Sequence, residues 1–285
     1  MDVGVDWGAL GVNALVSLGV LLVVFTGTWL LALRLGRHAV IDVVWGSGFV
    51  VVALVSLLVA QAGGHGDMGR QLLVLGLTAA WGVRLAVHIG RRNGSREDPR
   101  YQDILDRATG SPAAHIYRRV YLTQTAVLWL VSLPLQVAAF QNGAPSSGWP
   151  LAVTLLGILV WSVGFTFETV GDWQLERFKA DPANRGQVND RGLWRYTRHP
   201  NYFGDATVWW GLWLLSATHW SGWVFVVCPL LMTLNLVKGT GAAMTDKRMQ
   251  SSRAGFAEYV QRTSGFVPRP PRRSAPHRDP EPTPS

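Results

Sequence analysis

The sequence predicts an all-α polytopic membrane protein, a bundle of about seven transmembrane helices. Charged residues make up only 15% of the 285 residues, whereas an ordinary soluble domain has about 25%. Fourteen tryptophans are too many for a small soluble core, but they suit a protein with two lipid–water interfaces. The single cysteine, Cys228, excludes an internal disulfide and a cysteine-rich metal site.

Seven apolar segments have spanning or near-spanning length. They cover about residues 9–33, 40–60, 71–90, 120–140, 149–170, 203–218 and 221–237. Crossing a hydrocarbon layer of roughly 30 Å takes about 20 residues, and the first five segments meet that length. The last two are shorter and close together, so they either cross fully or form a helical hairpin that crosses only in part.

The positive charges orient these segments. Of the 26 Lys and Arg residues, 24 lie in the connectors 34–39, 91–119 and 171–202 and in the segment from 238 onward. The alternate connectors contain only Arg70, and Arg84 lies inside a span. Membrane orientation therefore explains the net charge of +8, and nucleic-acid binding is not needed as an explanation of it. The asymmetry predicts an outside amino terminus and a cytosolic carboxyl terminus. Arginine outnumbers lysine 23 to 3, which is typical of a GC-rich genome and favours a multi-pass protein of a bacterial cytoplasmic membrane.

The chain is predicted to have three parts. Residues 1–39 form the first transmembrane helix and its connector, 40–267 form the main membrane domain, and 268–285 form a cytosolic tail. This tail contains seven prolines among charged and small polar residues, which is typical of disorder. The histidines lack the His-Glu-x-x-His spacing, so no catalytic metal is expected.

Ionisable residues inside spans are costly and usually face a cavity or a partner. Asp42 begins the second span, where it either complements the helix dipole or has a functional role. The third span ends with four side chains on one helical face: Trp81, Arg84, His88 and Arg92. The fifth span ends with Glu168 and Asp172 one turn apart, which require cations or donors opposite them, whether for structure or for ligand binding.

The most polar run leads into the sixth span, from Gly192 to Asp205. Pro200 is suited to the first position of a helix, which places Asn201 and Asp205 one turn apart on one face. A helix amino terminus flanked by Arg195 and Arg198 suits an anion. A basic interfacial anchor explains the arginines, but it does not explain an amide and a carboxylate that enter the membrane. The segment after the last span, including Lys247, is typical of a solvated amphipathic helix.

Together these residues resemble the steroid 5-alpha-reductase-like family of membrane reductases, over about residues 40–270. The resemblance rests on short motifs spread along the chain: Ile41-Asp42-Val43-Val44-Trp45-Gly46, Trp81-Gly82-Val83-Arg84-Leu85, Arg91-Arg92-Asn93-Gly94 with Glu97-Asp98-Pro99-Arg100-Tyr101, Asp172-Trp173-Gln174-Leu175 with Phe178-Lys179, the run Gly192 to Asp205, and Phe266-Val267-Pro268. The piece Arg198-His199-Pro200-Asn201-Tyr202 alone is less specific, because isoprenylcysteine carboxyl methyltransferases carry similar runs.

The resemblance implies a bundle that binds NADPH from the cytosol and reduces a carbon–carbon double bond conjugated to a carbonyl in a lipophilic, steroid-like or other lipid substrate taken from the bilayer. The implied catalytic residues are Asp42, His88 and Asp205. The implied cofactor-binding residues are Arg92, Asp172, Lys179, Arg195, Tyr196, Arg198, His199, Asn201, Tyr202, Asp205 and Lys247. Protonated Asp42, or alternatively His88, would donate to the carbonyl oxygen.

Two departures from the family pattern concern the substrate. The substrate-side tyrosine of the steroid enzymes falls near His88-Ile89, and their histidine after the last span falls near Asp246. A methyltransferase that uses S-adenosylmethionine is the alternative, although Met244-Thr245-Asp246-Lys247-Arg248 lacks the paired glutamates of that family. A third reading is a lipid-binding membrane protein without catalysis.

Overall fold

The computed structural model describes residues 4–94, 97–239 and 241–272. The described chain is helical, with isolated β-bridges and no strands. The part of the predicted tail from residue 273 onward lies outside the described residues.

Thirteen α-helices are described. They are α1 (Trp7–Leu35), α2 (Val40–Ala62), α3 (Met68–Asn93), α4 (Pro99–Asp106), α5 (Pro112–Ile116), α6 (Thr123–Val131), α7 (Leu133–Phe140), α8 (Gly148–Ala180), α9 (Pro200–Ser216), α10 (Trp220–Trp223), α11 (Val227–Lys238), α12 (Ala242–Ser252) and α13 (Phe256–Arg262). A π-helical turn, Tyr117–Leu122, joins α5 to α6. Pro200 begins α9, as the sequence predicts.

Six helical segments within the described residues are long and apolar enough to cross a membrane. They are Trp7–Leu35, Val40–Ala62, Met68–Asn93, Pro112–Phe140, Gly148–Ala180 and Trp220–Ser252. The chain is therefore an all-α, multi-pass membrane protein. Helix α9 has 17 residues and a length of roughly 25 Å, less than a full crossing requires. The predicted count of about seven spans, and the predicted orientation, remain predictions.

The helices begin where the sequence supplies caps. The side chain of Asp6 accepts a hydrogen bond from the Ala9 amide at the start of α1, and Asp67 does the same for Arg70 at the start of α3. Asp98 and the proline that follows it begin α4 in the same way. These caps satisfy amide groups that the first turn leaves without partners.

The chain divides into two compact units. The first contains Met1–Trp161 and Trp209–Met232, and the second contains Ser162–Val208 and Thr233–Ser285. In the first unit α2 and α3 approach each other at two glycines. A Cβ atom on Gly82 would lie 2.5 Å from the carbonyl oxygen of Gly46, so only glycine permits this approach.

An aromatic cluster fills the core of the first unit. The ring of Phe49 lies 4.4 Å from Trp209 and 5.7 Å from Trp81, measured between centroids, and all three side chains are fully buried. Aromatic pairs at these distances contribute more than their buried area alone.

Gln141 joins several segments at one end of the first unit. Its side-chain nitrogen donates to the carbonyl of Ser216 at 2.6 Å, and its side-chain oxygen accepts from Arg70 at 3.0 Å and from Thr218 at 3.1 Å. Arg70 is buried, and its guanidinium also donates to the carbonyls of Gln141 at 3.2 Å and Gly143 at 3.0 Å. These carbonyls belong to residues just after the end of α7, so Arg70 supplies hydrogen-bond donors to the backbone that leaves that helix.

Candidate functional site

A carboxylate–phenol–guanidinium group lies at the start of α2 in the first unit. The hydroxyl of Tyr101 donates to Asp42 Oδ1 at 2.5 Å, and Arg100 donates to Asp42 Oδ2 at 3.1 Å. The same guanidinium contacts Asp98 Oδ2 at 2.9 Å. Asp42 has a side-chain exposure of only 14%. Both donors belong to α4, which the Asp98 cap and its proline hold against this carboxylate.

Tyr101 is held in its neutral form. Burial, followed by the neighbouring Asp42 carboxylate, raises the pKa of Tyr101 far above its ordinary value. The phenol therefore keeps its proton at neutral pH and remains a hydrogen-bond donor.

Glu97 caps the amino end of α2 beside this group. Its carboxylate accepts hydrogen bonds from the backbone amides of His38 and Ala39. The ring nitrogen Nδ1 of His38 lies 2.9 Å from the hydroxyl of Tyr121, which belongs to the π-helical turn. Burial lowers the pKa of His38, and the charge of Glu97 opposes that shift only in part. The neutral imidazole is thus the favoured form.

In the second unit, glycines bring α8 and α9 into close contact. A Cβ atom on Gly204 would lie 2.4 Å from the Glu168 nitrogen, and one on Gly164 would lie 2.5 Å from the Val208 nitrogen. Two turns beyond Gly164 along α8, the open side of Gly171 faces the beginning of α9 at Pro200 and Asn201. This approach places the polar ends of the two helices side by side.

Asp172 and Asn201 meet where these helices run together. The side-chain nitrogen of Asn201 donates to Asp172 Oδ1 at 3.1 Å, while its oxygen accepts from the backbone amide of Tyr202 at 3.1 Å. Asp172 and Asp205 are buried, whereas Asn201 is partly exposed. The amide is therefore fixed in orientation and still accessible to a ligand.

Asp246 organises the residues before α9. Its carboxylate accepts from Arg198 at 2.8 Å and lies 2.8 Å from Nε2 of His199. Arg198 also donates to the carbonyl of Thr263 at 2.8 Å. The ring of His199 stacks on Tyr202, with centroids 5.4 Å apart. Arg198 is thus engaged largely in joining α12 and the end of α13 to the start of α9.

The remaining site residues predicted from sequence fall into both units. His88 and Arg92 belong to α3 in the first unit, where Arg92 is exposed. Lys179, near the end of α8, and Arg195, Tyr196 and Lys247 are exposed side chains of the second unit. These exposed cations are suited to a phosphate-bearing ligand.

Three residues with central contacts were not assigned to the site from sequence: Arg100, Tyr101 and Asp246. Tyr101 and Arg100 lie 59 and 58 positions from Asp42, in a connector where no helical periodicity relates them to it. The available signal was the motif that contains them, which supported the resemblance. From sequence, Asp246 is only a departure from the family pattern.

The second unit contains groups that could hold a ligand with a carboxamide and phosphates. An oriented amide at Asn201 suits a carboxamide, and the exposed cations suit phosphates. Among the described residues, no group of three or more His, Cys, Asp or Glu side chains is arranged to hold a metal ion.

Comparison with known proteins gives one family. Residues 28–263 match the profile described as protein of unknown function (DUF1295). The chain belongs to the DUF1295 family. The matched region contains every contact described above for Asp42, Asn201 and Asp246. No curated protein and no solved structure matches the chain significantly.

Proposed function

We propose that this DUF1295 protein is an NADPH-dependent reductase of a carbon–carbon double bond conjugated to a carbonyl in a lipophilic substrate. The observation that carries the proposal is the hydrogen bond of Tyr101 to Asp42, with Arg100 on the second carboxylate oxygen. A neutral phenol held at the end of apolar helices is the kind of donor that a developing enolate oxygen requires. The motif resemblance to steroid 5-alpha-reductase-like enzymes supports the same chemistry.

We propose for Asp42 a different role from the one expected from sequence. Asp42 accepts hydrogen bonds from both Tyr101 and Arg100. A phenol has one proton, so we propose that the Tyr101 hydroxyl turns from Asp42 to the carbonyl oxygen when substrate binds, while Arg100 remains on Asp42. Asp42 then positions the phenol. Removing one such donor typically reduces turnover about 10²- to 10³-fold.

The second unit would hold the cofactor. When bound, NADPH would supply the hydride of the reduction, and water would supply the proton. Asn201, oriented by Asp172, would hold the carboxamide of the nicotinamide, and the exposed cations would hold the phosphates.

The test begins with ligand binding to the purified, full-length protein. We expect NADPH to raise the midpoint of thermal unfolding, because a ligand that binds only the folded state stabilises it. Asn201→Ala should abolish this shift. Asn184→Ala is the matched control, since it removes a side-chain amide of the same unit that donates to the carbonyl of Phe178 and is not among the proposed cofactor-binding residues. Unchanged NADPH affinity in Asn201→Ala would reject the site.

Turnover then separates the reductase from its alternatives. The protein is incubated with NADPH and a panel of lipophilic enones. Consumption of NADPH, together with a product that is heavier than the enone by two hydrogens, would support the proposal. A thermal shift with S-adenosylmethionine and none with NADPH would support a methyltransferase instead. A shift with neither ligand would favour a lipid-binding protein without catalysis.

A further inference from the structure

Residues 263–269, which we call the strap, run alongside the loop that leads into α9 in the second unit. A parallel β-bridge joins Ser264 of the strap to Thr197 of the loop. The motif Phe266-Val267-Pro268, which supports the family resemblance, lies in this strap. The family profile ends at residue 263, so the motif lies beyond the matched region.

The strap supplies hydrogen-bond partners to the backbone of the loop. The backbone amide of Arg198 donates to the carbonyl of Ser264 at 2.9 Å, and the backbone amide of Arg269 donates to the carbonyl of Tyr196 at 2.9 Å. Backbone groups outside helices need such partners when water does not reach them. The loop therefore keeps its conformation through contacts with the strap.

The hydroxyl of Thr197 strengthens this connection. It donates to the carbonyl of Phe266 at 2.7 Å and accepts from the backbone amide of His199 at 3.3 Å. Thr197 is fully buried. Because His199 immediately precedes Pro200, the first residue of α9, one buried hydroxyl joins the strap to the start of that helix.

The strap also contacts α9 beyond Asn201. The ring of Phe266 meets the ring of Phe203 edge to face, with centroids 6.0 Å apart, and Phe203 meets Phe167 of α8 in the same way at 5.2 Å. Such aromatic pairs favour one relative orientation of their rings. Since Phe203 lies two positions after Asn201, the strap holds the backbone on both sides of that amide.

We propose that the strap positions Asn201 for ligand binding, and that Phe266 and Thr197 are its positioning residues. The inference rests on the proposed function, in which Asn201 holds the carboxamide of the nicotinamide. A hydrogen bond weakens steeply when its angle changes, so a small shift in the first turn of α9 weakens this contact. The phosphates are assigned to long, exposed cations, whose ionic contacts tolerate such a shift better.

The experiment compares two ligands on the purified, full-length protein: NADPH, and 2′-phospho-ADP-ribose, which lacks the nicotinamide. Phe266→Ala removes the ring that contacts Phe203. It should weaken NADPH binding about five- to tenfold, the worth of about one hydrogen bond, and weaken 2′-phospho-ADP-ribose binding less than about twofold.

Two further variants of the strap serve as controls. Phe266→Tyr keeps the ring and should restore the NADPH affinity of the wild-type protein. Val267→Ala shortens the neighbouring side chain, which is 50% exposed, and should leave the dissociation constants of both ligands unchanged.

Thr197→Val tests the strap without removing the ring of Phe266. Valine keeps the shape of threonine but lacks the hydroxyl that joins the strap to the loop. We expect the same selective loss of NADPH affinity. If Phe266→Ala does not yield folded protein, Thr197→Val still decides the question, and the thermal unfolding midpoint of each variant is measured alongside.

Three results would overturn the inference and leave the proposed function intact. They are wild-type NADPH affinity in Thr197→Val and Phe266→Ala, an equal loss of affinity for both ligands, and a lower unfolding midpoint with no change in either dissociation constant. The last two would show that the strap serves stability alone. Wild-type protein that binds no NADPH would overturn the proposed function, and the inference with it.

Discussion

Gly204 leaves no room for a side chain beside Glu168, because a Cβ atom there would lie 2.4 Å from the Glu168 nitrogen. We expect Gly204→Ala to push α8 and α9 apart and to destabilise the protein by about 1–3 kcal/mol, as overpacking does in other cores. Thermal unfolding in detergent measures this loss. Gly19→Ala in α1 is the control, since no atom lies within 4 Å of its added Cβ. An unchanged unfolding midpoint for Gly204→Ala would contradict the close approach.

Tyr101→Phe removes the hydroxyl that Asp42 accepts. We expect turnover to fall about 10²- to 10³-fold while the dissociation constant of NADPH stays the same, because Tyr101 is not among the proposed cofactor-binding residues. Tyr117→Phe is the matched control, since it removes a hydroxyl that contacts Thr26 at 2.8 Å. Full activity in Tyr101→Phe would remove this phenol from the mechanism.

Asp42 and Tyr101 should also be coupled. In a double-mutant cycle with Asp42→Asn and Tyr101→Phe, we expect the combined loss of turnover to be much smaller than the product of the two single losses, because each change disables the same group. Rates with saturating NADPH give the cycle. Strictly multiplicative losses would show that the two residues act independently.

Arg70 should be essential for stability. Arg70→Met leaves the buried acceptors of Gln141 and the carbonyl of Gly143 without their donor, which we expect to cost about 1–3 kcal/mol or more. Arg34→Met is the control, because Arg34 is an exposed cation near the end of α1. The two unfolding midpoints measure the difference. Equal midpoints would show that the hydrogen bonds of Arg70 add nothing to stability.

The stability of the protein should depend on His38 below neutral pH. Burial lowers the pKa of His38 in the folded protein, whereas the unfolded chain keeps an ordinary value near 6.5. The unfolded state therefore binds more protons as the pH falls below about 6.5, and the contribution of His38 to stability is lost there. Unfolding midpoints of wild-type protein and His38→Gln at pH 7.5 and 5.5 test this.

We expect the wild-type midpoint to fall more steeply with acid than that of His38→Gln, so that the difference between the two proteins shrinks at pH 5.5. Parallel curves would show that the neutral imidazole beside Tyr121 is not what acid disrupts.

Much of the fold could be predicted because each long span is a continuous apolar run in the sequence. The runs predicted at 40–60 and 149–170 became α2 and α8, which extend beyond them at their polar ends. An apolar run of about 20 residues is a strong signal, because every residue of the run has to match the lipid interior. The segment 203–218 lacks that length, and α9 is correspondingly short.

The site was predictable only in part. Helical spacing placed Asn201 correctly at the start of α9, because proline fixes where that helix begins. No local rule could pair Tyr101 with Asp42 or Arg198 with Asp246, since these partners are 59 and 48 residues apart. Glycines seven residues apart, such as Gly164 and Gly171, were the overlooked signal for the close packing of α8.

The contacts of Gln141 have a consequence for biogenesis. Its amide donates to Ser216, 75 positions later in the chain, and therefore stays without that partner until the ribosome has added the residues after α9. A chain arrested near position 200 lacks Ser216 and Thr218, so of the three side-chain contacts described for Gln141 only the one with Arg70 can form. We therefore expect this end of the early helices to gain its full set of hydrogen bonds only after α9 has been made.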